Sequence, residues 1–500
     1  MDKFFASLAG AKEVADGGAH AVDDVTTSPT RCVMLDLLET ALSKASGPWL
    51  ELRLHDRRTR SISVDNGRTE SARTVRHCGV GVRAFVDGAW GFASTSLLTV
   101  AAIERAIAAA TAAAKAASVA KQRAGQKGAD SPADVSWRSG LFMTPSTEPL
   151  SSRTLQDKID LVMRTEALVR GAGNAITSAS CSYSELVDEK FIVTSDGARV
   201  HLRDDKPELR VNAVAGRDGD LQSCTEASGK TGGFGELFAR RTPEQLAERA
   251  AKMATDLLRA PFVDGGKKQV ILAPDVVGLL VHEAIGHTVE ADFVLAGSAA
   301  AGKIGRQVAS DLVTLCDSGD SEYEGGAGGI VMIDDEGVPS RKVTIIERGI
   351  LRSYLHNRET AKHFGVEPTG NARAFEYDNE PIIRMRNTYI EPGSSSLAAM
   401  VDGVKDGWLL AGAKNGQADA NAEFMFVVGE AYPIKNGKLG PLHRGTTITG
   451  DAFEVLSSVD AVGDAFSWDL GSGYCGKGQP AKVDAGGPHL RCVATLAGGG

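Results

Sequence analysis

Tight turns constrain this chain more than any other feature. Asn66-Gly67, Asp87-Gly88, Asp196-Gly197, Asp218-Gly219 and Asn436-Gly437 stand beside runs that alternate or cluster Val, Ile, Leu and Thr. Asn or Asp followed by Gly accepts the positive φ of a two-residue turn at little cost, so these dipeptides predict β-hairpins. The chain holds 57 Gly against 17 Pro, which extends the same expectation of many turns and much β-structure. Trp49–Leu54 alternates as a half-buried strand should, and residues 61–64 and 80–86 read as strands around the first two turns.

Helical patterns fall between these hairpins. Residues 32–45, 98–120 and 153–170 have helical patterning, the last with Ser152 or Thr154 as a cap. Residues 123–150, with Gly, Pro, Ser and Thr throughout, read as a loop or linker. The order helix, hairpins, helix thus occurs twice before residue 230. Thr242-Pro243-Glu244-Gln245 starts another helix that ends near Arg259, before Pro261. Five hundred residues exceed one small domain, and the division is placed here, into domains of residues 1–260 and 261–500. The second half is mainly β, with strands at residues 269–272, 330–333, 342–347, 423–428 and 446–448. Helices interrupt it at 275–291, 357–365 and 396–401.

Charge and composition exclude several classes of function. Hydrophobic residues make up 42% and charged residues 24%, the balance of a folded globular protein. A formal net charge of −9 disfavours a polyanion as main partner, so neither nucleic acid nor an anionic membrane surface is expected. No stretch approaches the ~20 apolar residues that span a bilayer. Phe4–Ala9 with Ala19-His20-Ala21 imitates a secretory signal, but Asp2, Lys12, Glu13 and Asp16 spoil its charge pattern. A cytoplasmic protein is expected. The seven cysteines contain no C-x-x-C pair and do not form a disulfide pattern.

Chemistry concentrates on the apolar stretch Val276–Val281, which runs into His282-Glu283-Ala284-Ile285-Gly286-His287. Two imidazoles with a carboxylate beside the first match the grammar of a zinc hydrolase helix. The histidines hold the metal, and the carboxylate takes a proton from the water that the metal activates. The spacing is unusual. At ~100° per residue, positions five apart lie about 140° around an α-helix. Both rings can face one ion only where the helix widens, as a π-turn does, or breaks between them. Gly286 is the residue that would tolerate the distortion. A zinc site also needs a third protein ligand. Cys475, in the glycine-rich segment from Asp469 to Pro480, is one candidate; its loop leaves the thiol accessible, and Lys477 would favour the thiolate. Glu290 and Asp292 are the others, and spacing alone does not choose among the three.

Two further segments read as structural. Gly325-Gly326-Ala327-Gly328-Gly329 precedes a strand rather than a helix N-terminus and is an ordinary turn. Asp334-Asp335-Glu336-Gly337 lacks the spaced ligands of an EF-hand and reads as a solvated hairpin turn. His356, His363, His443 and His489 have no metal-like spacing.

The chain resembles the TldD half of the TldD/PmbA (TldE) family of zinc metalloproteases. The likeness is carried by Gly79-Val80-Gly81-Val82-Arg83, Asp87-Gly88-Ala89-Trp90-Gly91-Phe92-Ala93, and His282–His287. Ile333–Gly337, Pro368-Thr369-Gly370-Asn371, Asn387-Thr388-Tyr389 and Cys475-Gly476-Lys477 extend it over most of the chain. Two positions depart: Thr288 stands where the family has Gly, and the segment after Cys475 is shortened to Gly478-Gln479-Pro480.

The resemblance implies that Cys475 joins His282 and His287 as a zinc ligand, with Glu283 as catalytic base. It implies hydrolysis of amide bonds in unfolded peptides or peptide-like substrates. It also implies enclosure in a dimer, either of this chain with itself or with a PmbA/TldE-like chain. A dedicated amide-cleaving tailoring enzyme and a catalytically silent, partner-binding subunit are the other readings. The expected fold class is α+β: an α/β-type N-terminal domain of hairpins and long helices, then a β-rich domain carrying a zinc-binding helix.

Overall fold

The computed structural model describes residues 29–45, 48–125, 131–136, 139–419, 421–468 and 473–498. The signal-like stretch at residues 4–21 and Asp469–Ser472 lie outside them.

Four of the five turn dipeptides act as their chemistry requires; at the fifth, Asp196-Gly197, only Gly197 has positive φ. Asn66 and Gly67, Asp87 and Gly88, Asp218 and Gly219, and Asn436 and Gly437 all have positive φ at both positions, the geometry that matches the twist of adjoining strands. The first three join long strands: β1 (Trp49–Asp65), β2 (Arg68–Val86) and β3 (Ala89–Thr95), then β6 (Arg199–Arg217) and β7 (Asp220–Gly229) after β5 (Ile176–Thr194). Antiparallel pairing of β1 with β5 fuses the two meanders into one sheet, in the order β3-β2-β1-β5-β6, with β7 also on β6. Helix α1 (Pro29–Ser43) and α2 (Val100–Arg123) cover the first meander. Helix α3 (Leu155–Arg170) and α4 (Pro243–Leu257) cover the second. Thr154 and Thr242 each close a capping box, with Asp157 and Gln245 respectively, which fixes where α3 and α4 begin.

Strand parity decides what each face of this sheet meets. Leu50, Leu52 and Leu54 of β1 pack with Val80, Val82 and Ala84 of β2 in the apolar cluster under α1 and α2. The alternate residues Glu51, Arg53, His55 and Arg57 are buried as well. They face the C-terminal half. Arg53 donates to the carbonyls of Glu376 and Asn379 at 3.2 and 2.8 Å. Arg83 reaches Glu336 at 2.6 Å, and Lys190 of β5 reaches Asp335 at 2.7 Å. Gly79 and Gly81 allow this approach: a Cβ on Gly81 would lie 2.4 Å from the Tyr377 carbonyl oxygen, and one on Gly79 2.5 Å from the Tyr377 ring.

The C-terminal half contains two sheets. One includes Leu315–Ser318, Val343–Glu347, Asn387–Ile390 and Asp484–Gly487. The other includes β8 (Gly266–Leu272), Asp406–Ala418, Glu423–Lys435, Thr447–Asp451 and Leu490–Leu496. Helix α5 (Pro274–Leu280) contacts strand Asp484–Gly487 of the first and Asp406–Ala418 of the second. Its Gly278 sits against Ala485, where a Cβ would come within 3.0 Å of backbone. Residues from α5 and both sheets share one continuous apolar core.

Several expectations are corrected. The segment 123–150 contains a strand, β4 (Gly140–Met143), which pairs parallel with β6; its pairing partner lies some sixty residues away and local composition does not register it. Residues 330–333 form no strand, only an isolated bridge from Ile333 to Pro339. The segment Asp334–Gly337 is a turn, but not a solvated one. Asp334, Asp335 and Glu336 are each at most 2% exposed, because Lys190, Arg53 and Arg83 from the N-terminal sheet neutralise Asp335 and Glu336 there. Cys78, Cys181, Cys224, Cys316, Cys475 and Cys492 are free thiols, as expected. No helix among those residues is long and apolar enough to cross a membrane.

The close approach at Gly81 yields a test. Gly81→Ala should destabilise the protein by about 1–3 kcal/mol, the usual cost of overpacking a close contact. Thermal unfolding should show a lower midpoint; an unchanged midpoint would mean that the two halves do not meet as described.

Candidate metal centre

Pro274 opens α5 at a position where a missing N–H costs nothing, and Val276–Leu280 bury the helix. The backbone then widens. Val281–Gly286 is a π-turn, which brings residues five apart onto one side. His282 and His287 are such a pair, with ring centroids 5.5 Å apart. The predicted helix over 275–291 is therefore three segments: α-helix, π-turn, and a 3₁₀ turn over His287–Val289.

Gly286 makes the distortion possible for a reason that backbone freedom does not supply. Its φ is −54°, open to any residue. A Cβ there would instead lie 1.9 Å from Met385 Sδ. The side chain of Met385 fills the space that a larger residue at 286 would need. Below the turn, Thr288 Oγ1 donates to the Ile285 carbonyl at 2.8 Å, and Ser298 Oγ donates to the Thr288 carbonyl at 2.6 Å. These hydroxyls satisfy carbonyls at the change of helix type.

Cys475 arrives on a hairpin, Tyr474–Gly476 paired with Pro480–Lys482, turned at Gly478 with φ +71°. It is 3% exposed, not accessible as its glycine-rich surroundings suggest. Arg384 donates to its carbonyl at 2.5 Å and to that of Gln479, holding both strands of the hairpin. Cys475 Sγ lies 3.1 Å from His287 Nε2. One ligand-competent atom from each of His282, His287 and Cys475 falls within 4.8 Å of the others.

Burial opposes a thiolate at Cys475, but the charge of His282, together with the charge and hydrogen bond of His287, outweighs it and brings the thiol down to about 4. Burial likewise opposes a charged His287. Cys475 and Glu290 reverse that and raise it to about 10. His282 is also raised against its burial, chiefly by the Cys475 charge. Lys477 takes no part in this. Its ammonium pairs with Glu290 at 3.1 Å and with Asp292 at 2.7 Å.

The two carboxylates left open as ligands are thereby committed elsewhere. Glu290, wholly buried, accepts a hydrogen bond from His287 Nδ1 at 3.0 Å. That bond turns Nε2 toward Cys475, the usual way an imidazole ligand is oriented. Glu283 is a quarter exposed, and its carboxylate is 3.9 Å from His287 Nε2. The donor set suits a zinc ion by its chemistry, one sulfur and two imidazole nitrogens with a carboxylate beside them. One observation supports the fit directly: His282 is buried, yet neither of its ring nitrogens has a hydrogen-bond partner among the described residues. Buried imidazoles normally have one.

Comparison with known proteins decides the family. Three family models match the chain: PmbA/TldA metallopeptidase domain 1 over residues 50–114, the central domain over 148–258, and the C-terminal domain over 265–498. The chain belongs to the PmbA/TldD metallopeptidase family. A metalloprotease of Methanocaldococcus jannaschii is 33% identical over 93% of this chain and 100% of its own length. One of Methanothermobacter thermautotrophicus is 32% identical over 90% and 95%. A zinc metalloprotease TldD homolog of Saccharolobus solfataricus is 28% identical over 86% and 93%. In fold, the chain resembles TldE from Thermococcus kodakarensis, with a TM-score of 0.73 at 18% identity, over 93% of this chain and all of that one. The mixed fold with a β-rich C-terminal region is shared.

The family blocks acquire distinct physical roles. Asn371 and Thr388 converge on the buried Asp317, donating to its carboxylate at 2.9 and 3.1 Å. Arg386 binds the same carboxylate at 2.8 Å. Arg384, Met385 and Arg386 thus hold, in sequence order, the Cys475 hairpin, the π-turn and the core. No sequence signal marked Arg384, because a lone arginine in a short β segment reads as a surface residue. Glu290 was legible as a candidate, but its role was not.

The space filled by Met385 predicts a rescue. Gly286→Ala should destabilise the protein by about 1–3 kcal/mol through overpacking. Adding Met385→Ala should recover a large part of that loss, since the two side chains compete for one volume. Additive losses in a double-mutant cycle of melting measurements would overturn this reading of Gly286.

Proposed function

We propose that this chain is a zinc-dependent peptidase acting in the cytoplasm on unfolded peptides. The observation that supports it best is the buried convergence of His282, His287 and Cys475, with Glu283 beside them. His282, His287 and Cys475 would hold the metal. Zinc, when bound, polarises an amide carbonyl and acidifies water.

The protein's own residues do the rest. Glu283 takes the proton released from the attacking water and passes it to the leaving amine. Its partial exposure places that carboxylate at the boundary between core and solvent, where substrate must arrive. Glu290 keeps the Nδ1 proton of His287 and so preserves Nε2 as a ligand. Binding a cation also replaces the protons that Cys475 and the histidines otherwise share.

Assembly is part of the proposal. A dimer, of this chain with itself or with a PmbA/TldE-like partner, would enclose the site and admit only extended chains. The β1–β2 hairpin supports this. β3 pairs with β2 only from Val80 to Val86, and residues 68–77 are exposed or nearly so, leaving an edge that can pair with another chain. The tip at Asp87-Gly88 is less free, because Ser118 and Lys121 of α2 donate to its carbonyls. A second reading is a tailoring enzyme that cleaves one dedicated amide. Thr288 and Gln479, which depart from the family, favour it to the extent that Gln479 secures the hairpin to Phe375 and Glu380.

Metal analysis of purified variants tests the ligands. His282→Ala should lose zinc and Cys475→Ser should retain it poorly; full occupancy in both would remove the assignment. Glu283→Gln should keep its zinc while peptide hydrolysis falls ~10²–10⁴-fold, the usual loss of a general base. A normal rate would leave Glu283 without that role. For assembly, light scattering at micromolar concentration should report a dimer, with or without an added PmbA/TldE-like chain, whose interface buries at least ~2,000 Å². A monomer that cleaves peptides would overturn the enclosed dimer.

A further inference from the structure

A second polar cavity lies between the N-terminal sheet and the Cys475 hairpin. Its lining contains Arg57, Lys190, Lys206, Arg373, Arg384 and Lys482, against the acids Asp188, Asp204 and Asp335. Four of the cations are matched. Arg57 binds Asp188 through two hydrogen bonds at 2.7 and 2.6 Å. Lys190 pairs with Asp335 at 2.7 Å, Lys206 with Asp204 at 2.7 Å, and Lys482 with Glu208 at 2.6 Å.

Arg373 and Arg384 are not matched. Among the described residues neither has a carboxylate within ion-pair distance. Arg373 donates to the carbonyls of Met385 and Lys482 at 3.0 and 2.7 Å. Arg384 donates to those of Cys475 and Gln479. Carbonyls satisfy hydrogen bonds but do not neutralise charge, and two uncompensated guanidinium groups in one cavity are costly. Burial and the nearby charge of Arg384 together pull Arg373 down to about 10. Donors are also left over. Arg384 Nε and Arg57 Nη1 are buried with no acceptor among the described residues, and these two arginines are 1% and 6% exposed.

We propose that this cavity binds a carboxylate group. Fixed guanidinium donors match a planar, two-oxygen anion. The open space, about 30 Å³, has room for roughly two water-sized spheres at ~10–15 Å³ each, enough for two carboxylate oxygens. Arg384 and Tyr474 belong at once to this cavity and to the Cys475 hairpin. An anion held there therefore sits directly behind the metal centre. The carboxylate comes either from the C-terminus of a bound peptide or from a free small acid. In the first case the inference rests on the peptidase reading above and adds a substrate preference to it.

Binding rather than turnover tests this, so that the two readings can fail separately. The Glu283→Gln protein, loaded with zinc, is titrated with a fluorescent unstructured peptide in two forms, free acid and C-terminal amide. The free acid should bind at least tenfold more tightly. Arg57→Gln and Arg373→Gln, which leave the contact between Arg384 and Cys475 in place, should each reduce that preference to threefold or less while zinc content is unchanged. Acetate at millimolar concentration supplies the second arm. Raising the melting temperature of the parent protein but not of Arg57→Gln, without any preference between peptides, identifies a free acid as the occupant. Equal binding of both peptides together with no response to acetate overturns the proposal, even if the wild-type enzyme cleaves peptides normally. Loss of cleavage with the free-acid preference intact would instead count against the peptidase reading alone.

Discussion

The candidate metal centre depends on one extra residue in one turn of helix. An α-helix cannot present His282 and His287 to a common point, whereas the π-turn over Val281–Gly286 can. A π-turn is not locally favoured, so its surroundings must enforce it. They do so through Met385, packed where a side chain at Gly286 would stand. Thr288 and Ser298 do so by satisfying carbonyls at the end of the turn. The core on both flanks of α5 leaves the helix no room to rewind.

From that turn outward, the structure is arranged to bring a distant hairpin to the histidines. Cys475 is nearly two hundred residues from His287, and its thiol reaches the site because Arg384 grips the hairpin backbone. Arg384 is adjacent to Met385, and Met385 to Arg386, which is fixed to Asp317 in the core. Three consecutive side chains thus couple the Cys475 hairpin, the turn and the core. A small shift in this segment would be felt by all three, which is how a site made of remote pieces is kept to one geometry.

The charged interface between the halves follows a different logic. One face of the N-terminal sheet is apolar and covered by helices. The other is polar and yet buried, because Asp335 and Glu336 of the C-terminal half meet Lys190, Arg53 and Arg83. Such pairs contribute little net stability once desolvation is counted, but a mismatched docking would strand charges and cost several kcal/mol. They act here as a constraint on how the halves fit. The cavity behind Cys475 lies on the same seam, and it is where cations outnumber their partners.

Local chemistry determined much of this protein in advance. Asx-Gly dipeptides placed the long hairpins, since their φ preferences suit those turns. Capping residues at Thr154 and Thr242 placed two helices. The His-Glu-x-x-x-His spacing marked, by its misfit to an α-helix, where the helix would have to widen or break for both rings to face one point. Each of these rests on interactions among residues a few positions apart. Tertiary structure decided what depends on distant partners: the parallel strand at Gly140–Met143, the burial of Asp334–Glu336 that sequence read as solvated, and the burial of Cys475. It also decided that Glu290 orients His287, that Lys477 pairs with carboxylates rather than activating the thiol, and that Gly286 is needed for Met385 and not for its backbone. A charge or a glycine carries no local record of what will pack against it, because burial is a property of the contacting surfaces and those form only when the chain is folded.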